Sequence, residues 1–452
     1  MSRRCVELAE SPGGGDDGED ERQANEPATA EVHERERIHE TRRSGALSSL
    51  AVSDGKPRLL LASATVICVV ALYLKQPHTF ALPQFYAEEG RFFFADAYNL
   101  GWSSLFYTAN GYFHLFPRLL ANLTLTLGVP YLWIPTVFVY GCLPMYFVLW
   151  LKIFTRLELA PEAKFFLALA TVLVPIGNEI FMNQTNIQWV MALIPVVLFC
   201  GTAPQRPWSR ALDYLLLVFC LFTGPYVLFL FPVFAMAALI EKNVASRKVF
   251  LAIGLAAMAA CALSLAQFGS VDRIHGVTKA TWFGYAQLAF RSYYFPILSI
   301  WVDEVPHWSI AALAAVLPVL LAWIVGSIVR SKNRFAMVTC VAGLLLFGAT
   351  VVSYGRHPGM PSPFTGAIRN FYLPMVFLLW SLIAITRVDS RRIATWAVLF
   401  CWFFVQIRFI KETREMPDQR WEVYSERLQS GAAMKIPITP AGWNMELHER
   451  LR

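Results

Sequence analysis

From Leu59 onward the chain runs in apolar blocks of helical length, separated by short stretches where Lys, Arg, Gly and Pro collect. The blocks cover about 59–75, 131–154, 163–182, 187–202, 211–222, 224–240, 249–267, 308–329, 335–354, 370–386 and 392–410. A helix that crosses a bilayer needs roughly 20 mostly apolar residues, so the blocks read as membrane segments. The stretch 211–240 is interrupted by Thr223-Gly224-Pro225 and reads as one long tilted helix or as two short ones. Loop charges bear on that choice. Lys152, Arg156 and Lys164 flank one connection, and Arg206 with Arg210 the next but one. Then come Lys242, Arg247 and Lys248; Arg330, Lys332 and Arg334; and Arg387, Arg391 and Arg392. If all face the cytoplasm, as the positive-inside rule asks, 211–240 must enter and return. A helix pair broken at Thr223-Gly224-Pro225 meets that demand. It gives an all-α polytopic membrane protein with about eleven transmembrane segments, the N-terminus inside and the C-terminus outside. A break at membrane depth needs protein or a cavity to satisfy its freed backbone groups, so it is expected inside the bundle.

The segment 1–57 has a different character, rich in Gly, Asp, Glu, Arg and Ser, with the acidic run DDGEDE. It holds too little apolar surface to offset the entropy of ordering and is expected to be a disordered cytoplasmic tail. A transmembrane helical domain follows over 58–410, with external loops at 76–130, 268–307 and 354–369, then a short extracytoplasmic tail at 411–452. Composition agrees: 56% of the 452 residues are hydrophobic and 16% charged, outside the range of an ordinary soluble enzyme. The net charge of +7 follows from basic cytoplasmic loops, so no nucleic-acid partner is expected. Seven of the eight cysteines stand singly in apolar runs without CxxC spacing, which supports neither a zinc site nor a disulfide framework. The first apolar run starts too far in for a cleaved signal and reads as a retained anchor.

This topology collects the candidate chemistry on the external face. FYAEEGRFFFADAY, residues 85–98, sets Glu88, Glu89 and Asp96 among aromatic side chains. If 91–99 is helical, Phe92, Phe93 and Phe94 lay it flat on the membrane interface. The carboxylates then lose hydration, which raises their pKa and makes stronger bases; a solvated loop pairing Glu88 with Arg91 is the alternative. In NGYFHLFPRLLAN, residues 110–122, His114 and Arg118 lie four apart on one helical face of a lipid-compatible run. Such an arginine wants a phosphate or carboxylate partner, unless it snorkels to headgroups. Arg356, His357 and Arg369 bracket the loop GMPSPFTG, and two arginines with a histidine at an outer mouth suit an anionic ligand. The loop 268–307 adds Asp272, Arg273, His275 and several Trp and Tyr residues, which suit sugars and interfacial packing about equally.

Taken together, the acidic pair after the first membrane helix, GYxxxxPR at 111–118, NxxNIQW at 183–189, TGPY at 223–226 and AIRNFYLP at 367–374 resemble the GT-C superfamily of membrane glycosyltransferases. The likeness extends over 59 to about 410. It implies a bundle of the bacterial cytoplasmic membrane whose extracytoplasmic cavity accepts a sugar on a polyprenyl phosphate, with an acidic residue of the first external loop as base. Most relatives carry an Asp in that pair, whereas this chain has Glu88 and Glu89, and many end in a sizeable external domain that is not evident here. The matched motifs place Tyr112, His114, Asn186, Trp189 and Tyr226 along the substrate. Inverting transfer needs one base for the acceptor hydroxyl and cationic groups for the departing phosphate. Glu88 or Glu89 suits the first role, with Asp96 orienting the acceptor or a divalent cation, the one cofactor to consider. Arg118, Arg356, His357 and Arg369 suit the second. The partners expected are the lipid bilayer, the polyprenyl-phosphate sugar donor and a glycan, lipid or protein acceptor. A transporter or flippase for a lipid-linked or anionic solute is the rival reading, since broken helices and intramembrane charge mark transporters too.

Overall fold

The computed structural model of the chain describes residues 55–174, 178–268, 319, 322–354, 366–386 and 417–449. In chain order its principal helices are α1 (Gly55–Lys75), α2 (Ala95–Leu100), α3 (Leu115–Thr126), α4 (Tyr131–Arg156), α5 (Pro161–Ala170), α6 (Ile187–Cys200), α7 (Pro207–Leu221), α8 (Val227–Ile240), α9 (Val244–Phe268), α10 (Arg334–Tyr354), α11 (Tyr372–Ile385) and α12 (Trp421–Leu428). Among the described residues α1, α4, α9 and α10 are long and apolar enough to cross a membrane. Helices α6 and α8 are apolar but shorter. The predicted blocks at 308–329 and 392–410 lie wholly or mostly outside the described residues.

Helix α11 is buried along its whole length. Its aromatic tips stay satisfied because α5 ends beside it: Tyr372 Oη donates to the Thr171 carbonyl at 2.7 Å and Trp380 Nε1 to that of Leu167 at 2.9 Å. At the opposite end of α4, Asp213 of α7 gathers Lys152 and Arg156. One carboxylate therefore holds two of the basic residues that the loop pattern singles out.

The chain breaks between α7 and α8 where Thr223-Gly224-Pro225 predicts it. Gly224 has φ +99°, and a Cβ there would come within 2.5 Å of Gln188 Oε1, so glycine is required on both counts. The freed backbone groups find protein partners in the residues that lead into α3. Gly224 N–H donates to the Phe113 carbonyl at 2.9 Å, Leu115 N–H to that of Phe222 at 3.1 Å, and Phe116 N–H to Thr223 Oγ at 3.1 Å.

Three expectations change. The run 163–182 is not one crossing helix: α5 ends at Ala170, ahead of Pro175 and Gly177, which are poor helix residues. Asn183, Gln184, Thr185 and Asn186 of the polar turn are all buried, and each bonds within the protein, although Gln184 Oε1 has no hydrogen-bond partner among the described residues. Phe93 and Phe94 do not lie on a membrane interface, because both are fully enclosed by protein, and only Phe92 is half-exposed. What encloses them is the third change. Residues 417–449 are not a bare tail: they fold as α12 and an antiparallel hairpin, β1 (Met434–Ile438) with β2 (Trp443–Leu447), an exception to the all-α class. Alternation puts Ile436, Ile438, Met445 and Leu447 on one face. That face joins Phe85, Phe93, Phe94, Tyr98, Phe138 and Trp421 in a second core, separate from that of the long helices.

Candidate functional site

The acidic pair lies where this second core meets the helices. Residues Glu89–Phe94 form a wide π-helical turn that runs directly into α2; such turns are rare and cluster at functional sites. The hairpin fixes its entry, since Thr439 N–H donates to the Phe85 carbonyl at 3.3 Å and Thr439 pairs with Tyr86. Gly90 permits that approach, because a Cβ there would sit 3.1 Å from Ile438.

The two adjacent glutamates have different surroundings. Glu89 is fully buried and accepts from Tyr86 N–H at 2.7 Å and from Gln184 N–H. Burial pushes its carboxyl up from 4.5 to about 8, with the Tyr86 and Gln184 amides pulling down and neighbouring Glu88 pushing up. Glu89 is therefore mostly neutral near pH 7, and its oxygens tie the acidic turn to the Asn183–Asn186 segment. A consequence is measurable. Below pH 4.5 the group is protonated folded and unfolded, so its contribution to stability is fully present; between 4.5 and about 8 only the folded chain keeps the proton, so that contribution is lost as pH rises. The thermal midpoint of the detergent-solubilised protein should fall across this window, with up to about 1.4 kcal/mol per pH unit from Glu89. Glu89→Gln should flatten the slope, and an unchanged slope would show that Glu89 is not its source.

Glu88 is 8% exposed; one oxygen accepts from Asn110 Nδ2 at 3.1 Å, and the other, Oε2, has no hydrogen-bond partner among the described residues. Around it stands a group that draws on three parts of the chain. Tyr86 Oη donates to Glu179 Oε1 at 2.7 Å, and Arg369 Nη1 donates to the same oxygen at 2.9 Å. Glu88 acts electrostatically on both Tyr86 and Arg369, as Tyr112 does on Arg369. Burial and then Glu179 push the Tyr86 phenol well above its usual range, so it remains a donor. The Glu179 backbone is held in turn: Asn183 Nδ2 and Asn186 Nδ2 donate to its carbonyl at 2.6 and 2.8 Å. Trp189 Nε1 donates to Asn186 Oδ1 at 3.2 Å, and the Trp189 ring packs on Tyr226 at 4.7 Å.

Arg118 and Asp96 form a second feature nearby. Arg118 does not snorkel: it is fully buried, and its Nη1 donates to Asp96 Oδ2 at 2.8 Å, with the guanidinium over the Phe93 ring. Its counter-charge is therefore Asp96, from the same loop. His114 is buried between the Tyr112 and Phe93 rings, at 4.7 and 4.9 Å. Burial pushes His114 down to about 3, with Arg118 adding to the shift and the Ala109 carbonyl opposing it, although neither ring nitrogen reaches hydrogen-bonding geometry. A neutral imidazole contributes no positive charge here.

The structure thus gathers Glu88, Glu89, Tyr112, Asn186, Trp189, Tyr226 and Arg369 through contacts that join one to the next. It pairs Arg118 with Asp96 and places His114 beside them. Arg356, His357 and the residues singled out in loop 268–307 lie outside the described residues. Tyr86, Asn110, Glu179 and Gln184 join the site without being singled out by the sequence pattern. Glu179 carried a signal, being the one acidic residue in the apolar run 163–182, and such a residue is a site candidate by default. Among the described residues no group of three or more His, Cys, Asp or Glu side chains converges as a metal site would. No protein-family model, curated protein or solved structure matches the chain.

Proposed function

We propose that the chain is an integral membrane glycosyltransferase that moves a sugar from a polyprenyl-phosphate carrier to an extracytoplasmic glycan, lipid or protein acceptor, with inversion. One observation carries this reading: Glu88, almost wholly buried, keeps an oxygen without a hydrogen-bond partner among the described residues and acts electrostatically on the Arg369 guanidinium, which with Tyr86 donates to Glu179. That pairing suits a reaction in which a base and a cation act on opposite ends of one displacement. Glu88 takes the proton of the acceptor hydroxyl, whose oxygen bonds to the anomeric carbon from the face opposite the phosphate. The bond from that carbon to the phosphate oxygen breaks, and the electron pair leaves with the polyprenyl phosphate, stabilised by Arg369. No acid is needed, because the phosphate departs as an anion. Glu89, held neutral by burial, leaves Glu88 as the working carboxylate of the pair.

Arg369 lies within the 3₁₀ turn Gly366–Phe371 that leads directly into apolar α11, so its charge stands at the head of a helix and not within one. The distribution of charge favours transfer over transport. In α1, α4, α9 and α10 the charged residues, among them Lys75, Lys152, Arg247 and Arg334, all lie near helix ends. A transporter is expected to carry ionisable groups at the midplane of several helices. The direct test supplies the purified protein in lipid nanodiscs with radiolabelled polyprenyl-phosphate hexoses and pentoses together with envelope glycan. Release of unlabelled polyprenyl phosphate with label in the glycan is the expected result. Movement of intact labelled donor across a proteoliposome bilayer, without release, would replace transfer by transport.

A further inference from the structure

The junction between the first loop and the hairpin contains a hollow that the reaction above does not use. It is an open cleft of about 420 Å³, floored by Asp96 and bordered by Arg91, Phe92 and Asn444. That volume falls within the range of small-molecule sites, roughly 300–1,000 Å³.

Its charges are largely cancelled by their own neighbours. Lys435 pairs with Glu446 at 2.9 Å, and Asp96 with the buried Arg118 at 2.8 Å. A cleft compensated in this way has no strong pull on a phosphate or a metal ion. It does offer acceptors and donors side by side. Asp96 stays 26% exposed, while its counter-ion is sealed beneath it; Asn444 is half-buried; and the Arg91 guanidinium lies 5.3 Å from the centres of both the Phe92 and Trp443 rings. Asn99, by contrast, is committed to the fold, donating to the Glu446 carbonyl at 3.1 Å and accepting from His448 N–H at 2.9 Å. Adjacent carboxylate, amide and guanidinium groups at an aromatic edge match a molecule with many hydroxyls and a partly apolar face.

We infer that this cleft binds a saccharide, with Asp96, Asn444 and Arg91 bonding its hydroxyls along the Phe92 edge. Resting on the transfer reaction proposed above, the saccharide is a segment of the acceptor glycan, held away from the reacting hydroxyl. The acidic turn connects the two places, since Glu88 and Asp96 lie eight positions apart on one continuous helical stretch. Such a site would tether a long acceptor between turnovers.

The test is isothermal titration of the full chain in detergent with mannotriose, cellotriose and galactotriose, in the absence of donor. At least one should bind saturably. Asn444→Ala should weaken it about fivefold, the effect of one neutral hydrogen bond, and Arg91→Ala about tenfold or more, because a bond from a charged group is stronger. Asp96→Asn should do the same, with its thermal midpoint recorded because it alters the partner of Arg118. Glu88→Gln should bind like the unaltered chain, which separates this site from the chemistry: binding that survives alongside an absent transferase activity would leave the cleft standing and remove the reaction. Failure of all three sugars to bind, or binding that Asn444→Ala and Arg91→Ala leave intact, would overturn the assignment.

Discussion

Glu88→Gln should lower the rate of sugar transfer by about 10²–10⁴-fold, the usual worth of a positioned general base. The substitution is informative because it preserves the local contact and the size of the side chain: the amide oxygen of Gln still accepts from Asn110 Nδ2, while the charge that acts on Tyr86 and Arg369 is removed. The loss should therefore fall on kcat, with donor KM changed little and the circular dichroism spectrum unaltered. Glu89→Gln should behave differently. A neutral side chain already suits that buried position, so most of the activity should survive and its main signature should be the pH dependence of stability. Should the two variants exchange these behaviours, Glu89 is the base and the assignment of the pair is reversed. Full activity in both would remove the proposed chemistry altogether.

The second large effect is expected at Arg369. Taking away its positive charge as Arg369→Met should cost about 10²–10³-fold in kcat, the scale seen when one group that stabilises a developing charge is deleted. Part of that loss has a separate origin, because Glu179 then keeps only the Tyr86 hydroxyl on the oxygen the two now share. Arg369→Lys resolves the components. It retains the charge and forfeits the planar fork, so it should recover part of kcat if the leaving phosphate is what Arg369 serves. If it recovers nothing while Glu179→Gln is as damaging as Arg369→Met, the residue serves Glu179 and not the phosphate. A kcat for Arg369→Met within about tenfold of the unaltered chain would exclude the guanidinium as the stabilising cation.

The readable and unreadable parts of this protein divide on physical grounds. Apolar blocks announce helices because every buried helical face needs them, and Thr223-Gly224-Pro225 announces a break because glycine and proline act on the backbone itself. Both signals are local. The fate of Phe93 and Phe94 is not, since an aromatic ring beside a bilayer and one beneath a distant hairpin have the same sequence neighbours. The hairpin was hard to see for a related reason. MKIPI and WNMEL alternate over only five residues each, too short a run to outweigh their polar surroundings. Within the site, the acidic pair and Arg369 stood out because charge beside apolar runs is costly. Their partners did not, as a tyrosine and an asparagine are common in any loop. The division of labour between Glu88 and Glu89 depends on the burial of Glu89, which outweighs the amides of Tyr86 and Gln184, and no residue type in the sequence encodes how deeply one of two adjacent glutamates will be enclosed.

The clasp between the π-helical turn and the hairpin also sets a timetable for biogenesis. Asn99 and His448, bonded to one another, lie 349 residues apart, so a ribosome releases the acidic turn long before the strand that braces it exists. Throughout that interval the turn must wait beside its neighbours without its permanent support, and contacts so remote in sequence are slow to close. A nascent chain therefore carries its carboxylates to their destination in an unbraced form. The braced form of the turn therefore arises only once the C-terminal hairpin has been made.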